Sequence, residues 1–94
     1  MLKIIKIKGA SMAPFYMPGK YCLCRRINPQ KLAVGDVVVA ELLGLGKVIK
    51  RISEIDHLTS SIKLRGENPS SISTEKMGWV SFEQLLWKVI WPKA

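Results

Sequence analysis

Two side chains in this sequence have the types needed to cleave an amide bond together, a serine in a glycine-containing turn and a lysine in an aliphatic strand. Ser11 follows Gly9-Ala10, and the glycine allows the backbone to turn tightly. Such a turn exposes the hydroxyl and leaves the Ser11 N–H free as one donor of an oxyanion hole. A serine in a turn also serves simply to cap a local bend, so this segment alone does not establish a nucleophile.

Lys50 is the residue best suited to accept a proton from such a serine. It lies in the segment Val48-Ile49-Lys50-Arg51-Ile52, where alternation along a strand places its side chain on the apolar face. Arg51 then lies on the other face and is predicted to point to water. Burial among aliphatic side chains lowers the pKa of a lysine and favours the neutral amine that acts as a base. The alternative is a lysine whose stem extends along the surface to solvent.

Other groups that could activate a serine or hold a metal are poorly arranged. His57 directly follows Asp56, and adjacent side chains of an extended segment point in opposite directions, so we expect an exposed loop histidine. Asp36 is predicted to be a turn residue that opens a strand. Cys22 and Cys24 face the same side of a strand, where such neighbours rarely form a disulfide. One histidine and two adjacent thiols do not make a zinc site, so no metal is predicted.

Short β-branched segments between glycine and proline turns predict an all-β fold. The predicted strands are 2–8, 20–26, 36–43, 46–55, 60–65 and 85–91. Ser81 and Gln84 have the spacing of a capping box, which predicts one short helical turn near 81–86. Closely spaced short strands are typical of barrel-like or ribbon-like folds, and a length of 94 residues corresponds to a single domain, 1–94.

The net charge of +8 is concentrated in residues 1–50, which hold nine cations and two acids. A basic β-barrel that binds nucleic acid is therefore one alternative. The cations are not interleaved with aromatic residues that stack on bases, so no nucleic-acid partner is predicted. No apolar stretch reaches the roughly 18 residues of a transmembrane segment. We expect a cytoplasmic protein if residue 1 is the native start, and a membrane-associated one if an anchor has been removed.

A series of short motifs occurs in a characteristic order along the chain. They are Gly-x-Ser-Met-x-Pro (9–14), Pro-Gly-Lys-Tyr (18–21), Gly-Asp-Val-Val-Val (35–39), Ile-Lys-Arg-Ile (49–52), Gly-Glu-Asn-Pro-x-Ser (66–71) and Gly-x-Val (78–80). In this order they resemble the signal peptidase I family of Ser–Lys dyad proteases, a variant of the serine-nucleophile mechanism. The resemblance runs from about Gly9 to Pro92 and implies the small β-fold that signal peptidases share with LexA-type proteins.

The resemblance assigns roles to individual positions. It implies that Ser11 is the nucleophile, with its own N–H as an oxyanion donor, and that Lys50 is the general base. Ser71 matches a serine that orients the lysine amine in many members. The positions that match the substrate groove and its loops are Gly9, Met12, Pro14, Gly66 and Asn68. Ser73 and Glu75 stand where the family usually has Asp and Arg, so a salt bridge near the site is lost or replaced.

The implied activity is that of a serine endopeptidase that removes an N-terminal extension or signal-like peptide from a precursor protein. The precursor is expected to bind as an extended peptide, and no organic cofactor is implied. Within the family, the chain looks most like the short proteases that mature nickel-type superoxide dismutase. LexA-type self-cleaving repressors share the dyad but lack the Lys-Arg pair and the Gly-Asp-Asn-Pro-type loop that this chain nearly keeps. An inactive family member is a further alternative.

Overall fold

A single curled antiparallel sheet contains nearly all of the regular structure. The computed structural model describes residues 1–68 and 78–93. The strands are β1 Leu2–Lys6, β2 Tyr21–Arg26, β3 Val37–Leu42, β4 Gly46–Asp56, β5 Ser61–Arg65, β6 Trp79–Ser81 and β7 Leu85–Trp91. Their order in the sheet is β1-β2-β7-β3-β4-β5-β6, with every neighbour antiparallel. The sheet forms an open half-barrel, which confirms the all-β prediction.

The predicted strands are all present, with ends that differ by at most two residues. Short 3-10 turns occupy Pro29–Lys31 and Phe82–Gln84. The capping box is confirmed, because the Ser81 hydroxyl accepts from the Glu83 N–H and the Gln84 side chain accepts from the Ser81 N–H. The three-residue strand β6 was not predicted. Within the described part of the chain, no helix is long and apolar enough to cross a membrane.

Both faces of the central strands are buried, because the sheet curls and loops cover it. Val37 and Val39 of β3 pack into one core cluster with Ile49 of β4. Val38 of the same strand packs into a second cluster on the other face, with Ile52 of β4. The continuous apolar sequence of β3 follows from this arrangement, since a strand buried on both faces needs no polar alternation.

Lys50 lies on the aliphatic face, as predicted, and pairs across the ladder with the fully buried Val38. The prediction that Arg51 points to water is wrong. Arg51 is only 8% exposed, because the face it shares with Ile49 is covered by the loop between β1 and β2. The alternation pattern identified the face of each residue correctly, but it cannot show that the opposite face is also covered.

The loop that carries Ser11 is anchored in the core on both sides of the serine. At its base, the Ile7 N–H donates to the Lys20 carbonyl at 2.8 Å and the Gly19 N–H donates to the Ile7 carbonyl at 2.9 Å. Met12 and Tyr16 are buried in the first core cluster. Because these residues are held by packing, the intervening turn has a defined position relative to β4.

A buried ion pair connects this loop to the sheet. Arg51 donates from Nε to the Glu67 carboxylate and from Nη1 to the Gly35 carbonyl at 2.7 Å. The backbone N–H groups of Glu67 and Asn68 both donate to the Ser11 carbonyl, at 2.7 and 2.8 Å. Arg51 therefore fixes the segment 66–68, and that segment fixes the backbone at Ser11.

We expect Arg51→Met to lower the free energy of unfolding by about 3 kcal/mol, the lower end of the range for breaking a buried ion pair. The loss arises because, of the described residues, only Arg65 remains paired with the Glu67 carboxylate, and this arginine is half-exposed and 3.7 Å away. Arg65→Met should cost less than about 1 kcal/mol, as for exposed pairs. Urea denaturation of both variants measures the difference.

The double variant Arg51→Met/Glu67→Leu serves as the control for this prediction. It removes the uncompensated carboxylate and should recover part of the lost stability. Equal losses for Arg51→Met and Arg65→Met, or no recovery in the double variant, would show that the ion pair does not stabilise this region.

Candidate active site

Ser11 lies in the first turn after the β1 segment, where Gly9 adopts a left-handed backbone with φ of +76°. An L-residue rarely adopts this conformation, so the turn that presents the serine depends on glycine there. The half-buried Ser11 hydroxyl donates to the Ile49 carbonyl at 3.2 Å. The Ser11 N–H makes no hydrogen bond to any of the described residues, which leaves it able to donate to a ligand.

Lys50 is buried near the middle of the sheet. It lies in β4, between β3 and β5, and is 4% exposed. No hydrogen bond or ion pair joins Lys50 to another residue within 1–68 or 78–93. Desolvation by the surrounding protein lowers the pKa of its amine below the ordinary value of 10.5. A buried amine without a counter-charge favours the neutral form, which is the form that accepts a proton.

Ser11 and Lys50 line the same cavity, which has a volume of about 460 Å³. The serine hydroxyl is directed to the carbonyl of Ile49, the residue before Lys50 in β4. The two side chains, both of which the structure describes, make no direct hydrogen bond from Ser11 Oγ to Lys50 Nζ. The fold therefore brings the candidate nucleophile next to the strand of the candidate base, while the hydroxyl proton is held by a backbone acceptor.

The other predicted site residues occupy different positions around this cavity. Gly9 and Asn68 line it, and the Asn68 side-chain amide also donates to the Ala10 carbonyl at 3.0 Å. Met12 is fully buried and anchors the loop rather than lining the cavity. Pro14 is exposed on the loop, and Gly66 is half-buried at the start of the segment 66–68. Ser71, Ser73 and Glu75 lie outside the described residues.

Neither the histidine nor the cysteines belong to the cavity. His57 is exposed in the turn after β4, where its ring meets Phe82 edge-on at 6.0 Å. Cys22 and Cys24 are buried with their sulfur atoms 3.7 Å apart, which is too far for a disulfide. Burial raises the pKa of Cys24 to about 12, so this thiol is a poor nucleophile at neutral pH.

Sequence reasoning missed several residues that line the cavity. Lys8 and Lys47 extend the lining on either side, and Leu45 contributes from the β3–β4 turn. The signal for Leu45 was available, because the sequence Gly44-Leu45-Gly46 marks a tight turn immediately before the strand of Lys50. The two lysines carry no comparable local signal, since exposed lysines are common on any basic protein.

The geometry brings to one cavity a hydroxyl, a desolvated amine and a backbone N–H that bonds to no described residue, and these are the groups that acyl transfer requires. A comparison with individually curated proteins gives no significant match. The family model described as "Peptidase S24-like" matches residues 1–82. This match supports the S24/LexA-like peptidases, and it does not extend to the nickel-type superoxide dismutase proteases. The chain thus belongs to the Peptidase S24-like family, whose activity at the family level is that of a serine peptidase.

Proposed function

We propose that this protein is a serine endopeptidase in which Ser11 is the nucleophile and Lys50 is the general base. The observation that carries the proposal is that a buried lysine and a turn serine line the same cavity, where no described residue provides a counter-charge to the lysine or an acceptor to the serine N–H. Membership of a serine peptidase family supports the same assignment.

In the proposed reaction, the neutral Lys50 amine accepts the Ser11 hydroxyl proton as Oγ attacks the scissile carbonyl carbon. The Ser11 N–H donates to the oxyanion that develops on the carbonyl oxygen. When the C–N bond breaks, the Lys50 ammonium returns the proton to the leaving amine. Water then attacks the carbonyl carbon of the acyl-enzyme ester and gives a proton to Lys50. The bond between this carbon and Ser11 Oγ breaks, and the Lys50 ammonium returns the proton to Oγ, which regenerates the serine hydroxyl and releases the carboxyl product.

The hydrogen bond from Ser11 to Ile49 must break before this reaction can begin. Rotation about the serine Cα–Cβ bond moves the hydroxyl from the Ile49 carbonyl towards the cavity that Lys50 lines. Catalytic hydrogen bonds are often not formed before substrate binds, so the ground-state geometry is compatible with the mechanism. In the substrate-free protein, the bond to Ile49 keeps the hydroxyl satisfied.

We propose that the substrate is a precursor protein bound as an extended peptide along the open edge of β1. This strand is the outermost of the sheet and leads directly into the segment that carries Ser11. An added strand pairs through its main chain, which accepts many sequences. The precursor of a nickel-type superoxide dismutase is one candidate substrate, which is supported by the resemblance of this chain to the short proteases that mature that enzyme.

Self-cleavage is a second candidate function, and the S24/LexA-like family match favours it. The two functions differ in kinetic order, that is, in how the cleavage rate depends on protein concentration. Cleavage of the protein's own chain within one molecule has a rate that does not depend on protein concentration. Cleavage of a precursor follows the concentration of both proteins. Incubation of the purified protein at several concentrations, followed by intact-mass measurement, separates the two.

We expect Ser11→Ala to lower peptide cleavage by roughly 10³-fold or more and Lys50→Ala by roughly 10²–10⁴-fold. Lys50→Arg should fail as well, because a guanidinium remains protonated. The measurement is cleavage of a peptide library and of precursors encoded beside this protein, with the cut sites identified by mass spectrometry.

The matched control for these substitutions is His57→Ala, which should retain activity within about twofold because the histidine lies on the surface away from the cavity. Cleavage that persists in Ser11→Ala would assign the activity to another protein in the preparation. Loss of cleavage in His57→Ala would contradict the lysine as the base.

Activity should rise with pH as Lys50 loses its proton, with a midpoint below the ordinary lysine pKa of 10.5 because burial disfavours the ammonium. The pH profile of kcat/KM reports this group in the free enzyme. A profile that is flat from about pH 6 to about pH 10 would exclude a titrating amine as the base.

Lys50 should also make stability depend on pH, and this effect needs no substrate. Its pKa is lower in the folded than in the unfolded chain, so the unfolded chain binds more protons between the two values. The free energy of unfolding of the wild type should therefore rise as pH increases through this interval. Lys50→Met lacks the group, so its stability advantage over the wild type should shrink between about pH 7 and about pH 10.

Urea denaturation at the two pH values measures this difference, and Lys20→Met is the control because Lys20 is exposed. The stability difference between Lys20→Met and the wild type should stay constant over the same range. A Lys50→Met advantage that does not change with pH would show that Lys50 is solvated in the folded protein.

A further inference from the structure

A second cavity, with a volume of about 300 Å³, lies between the edge strand β1 and strand β4. We call it the lysine groove. All of residues 3–8 line it from the β1 side, and residues 47–49 line it from the β4 side. Its floor is apolar and includes Ile5, Val39 and Trp87. A groove lined by four consecutive residues of an edge strand and the two residues that follow it has a shape that fits one extended chain.

The backbone of β1 is available for pairing in this groove. Ile7 directs both its N–H and its carbonyl towards the β2 side, where they bond to Lys20 and Gly19. Because backbone groups alternate sides along an antiparallel strand, those of Ile4, Lys6 and Lys8 face the open edge. An added strand would therefore find donors and acceptors along the length of the groove.

The rim of the lysine groove is strongly positive. It carries Lys3, Lys6, Lys8 and Lys47, and none of the described residues that line the cavity is acidic. None of these four lysines forms an ion pair within the described ranges. Glu41 stands opposite Lys47 in the β3–β4 register without bonding to it. Lys3 instead lies over the Trp87 ring, with Nζ 5.2 Å from its centroid.

The lysine groove adjoins the cavity at Ser11. Lys8, Lys47 and Ile49 line both cavities, together with Val48. A peptide whose main chain follows β1 would therefore pass from the lysine groove directly to the serine hydroxyl. The peptide residues that occupy the groove therefore belong to the same segment of the substrate as its scissile bond.

We propose that the lysine groove selects substrates whose segment beside the scissile bond combines acidic side chains with apolar ones. This inference rests on the proposed peptidase function. In an extended peptide, alternate side chains point to opposite sides, so apolar side chains can face the floor formed by Ile5 and Val39. The intervening acidic side chains reach the lysines of the rim. Neutral or basic segments of the same shape leave those ammonium groups without partners.

The test measures peptide binding to the Ser11→Ala variant, which separates recognition from cleavage. The probes are three acetylated decapeptides in which valine alternates with glutamate, glutamine or lysine. Isothermal titration calorimetry at about 50 mM and about 300 mM salt gives the affinities. We expect the glutamate peptide to bind about tenfold more tightly than the glutamine peptide at the lower salt, since several exposed charge pairs contribute together. The lysine peptide should bind least tightly.

Two double variants with equal changes in net charge test the location of the effect. Lys6→Gln/Lys47→Gln removes lysines from the groove rim and should bring the glutamate and glutamine peptides within about twofold of each other. Lys20→Gln/Lys31→Gln removes exposed lysines that do not line the groove and should keep the preference. Equal affinities for the glutamate and glutamine peptides, or an equal effect of both double variants, would overturn the proposal.

A twelve-residue oligothymidylate is titrated in parallel. If it binds more tightly than the glutamate peptide and loses affinity in Lys6→Gln/Lys47→Gln, the groove belongs to a nucleic acid and the proposal fails. Digestion of the three peptides by the wild-type protein completes the test. Selective binding of the glutamate peptide without any cleavage would uphold the groove and refute the peptidase. Cleavage of all three peptides at equal rates would do the reverse.

Discussion

The ion pair between Arg51 and Glu67 is the contact on which the candidate site depends. Arg51 follows Lys50 in β4, and the backbone amides of Glu67 and Asn68 hold the carbonyl of Ser11. The serine hydroxyl is held from the other direction by the carbonyl of Ile49. The relative position of serine and lysine is therefore determined by their chain neighbours, with no bond between the two side chains. Such indirect positioning holds the serine and the lysine at one cavity, and the hydroxyl becomes available when its bond to Ile49 breaks.

Two consecutive basic residues, Lys50 and Arg51, are buried in β4, and their side chains lie in different environments. Alternation sends Arg51 to the face where Glu67 and the Gly35 carbonyl neutralise and solvate its guanidinium. Lys50 goes to the opposite face, where none of the described residues provides a counter-charge. A guanidinium stays protonated in proteins, so a buried arginine requires a partner. An amine can lose its proton, and burial lowers the pKa of Lys50 and so favours its neutral form. The same strand thus contains one structural cation and one candidate base.

The strands and the face of Lys50 could be predicted because β-branched residues, glycine turns and two-residue periodicity act over short distances. The burial of Arg51 could not, because it depends on a loop from elsewhere in the chain covering the second face of the sheet. The residues of the site could likewise be predicted where local motifs mark them, and could not where they meet only through the fold. Ser11, Lys50, Gly9 and Asn68 were identified from motif order, and the structure places all four at one cavity. The roles of Lys8 and Lys47 follow only from the curl of the sheet, which brings β1 towards β4.

Lys3, Lys6 and Lys8 place part of the positive charge of the first half of the sequence along the exposed edge of β1. An unpaired edge strand attracts other strands, and lysines on such an edge prevent association with a second copy of the same basic protein. The same charges attract a strand of opposite sign. The positive charge of the edge thus both repels a second copy of this protein and attracts acidic segments. An apolar floor beneath the lysines would be a liability on an edge that served only to resist pairing. Beside Ser11, the apolar floor stabilises a bound acidic strand, because the strand buries its apolar side chains there while its main chain pairs with β1.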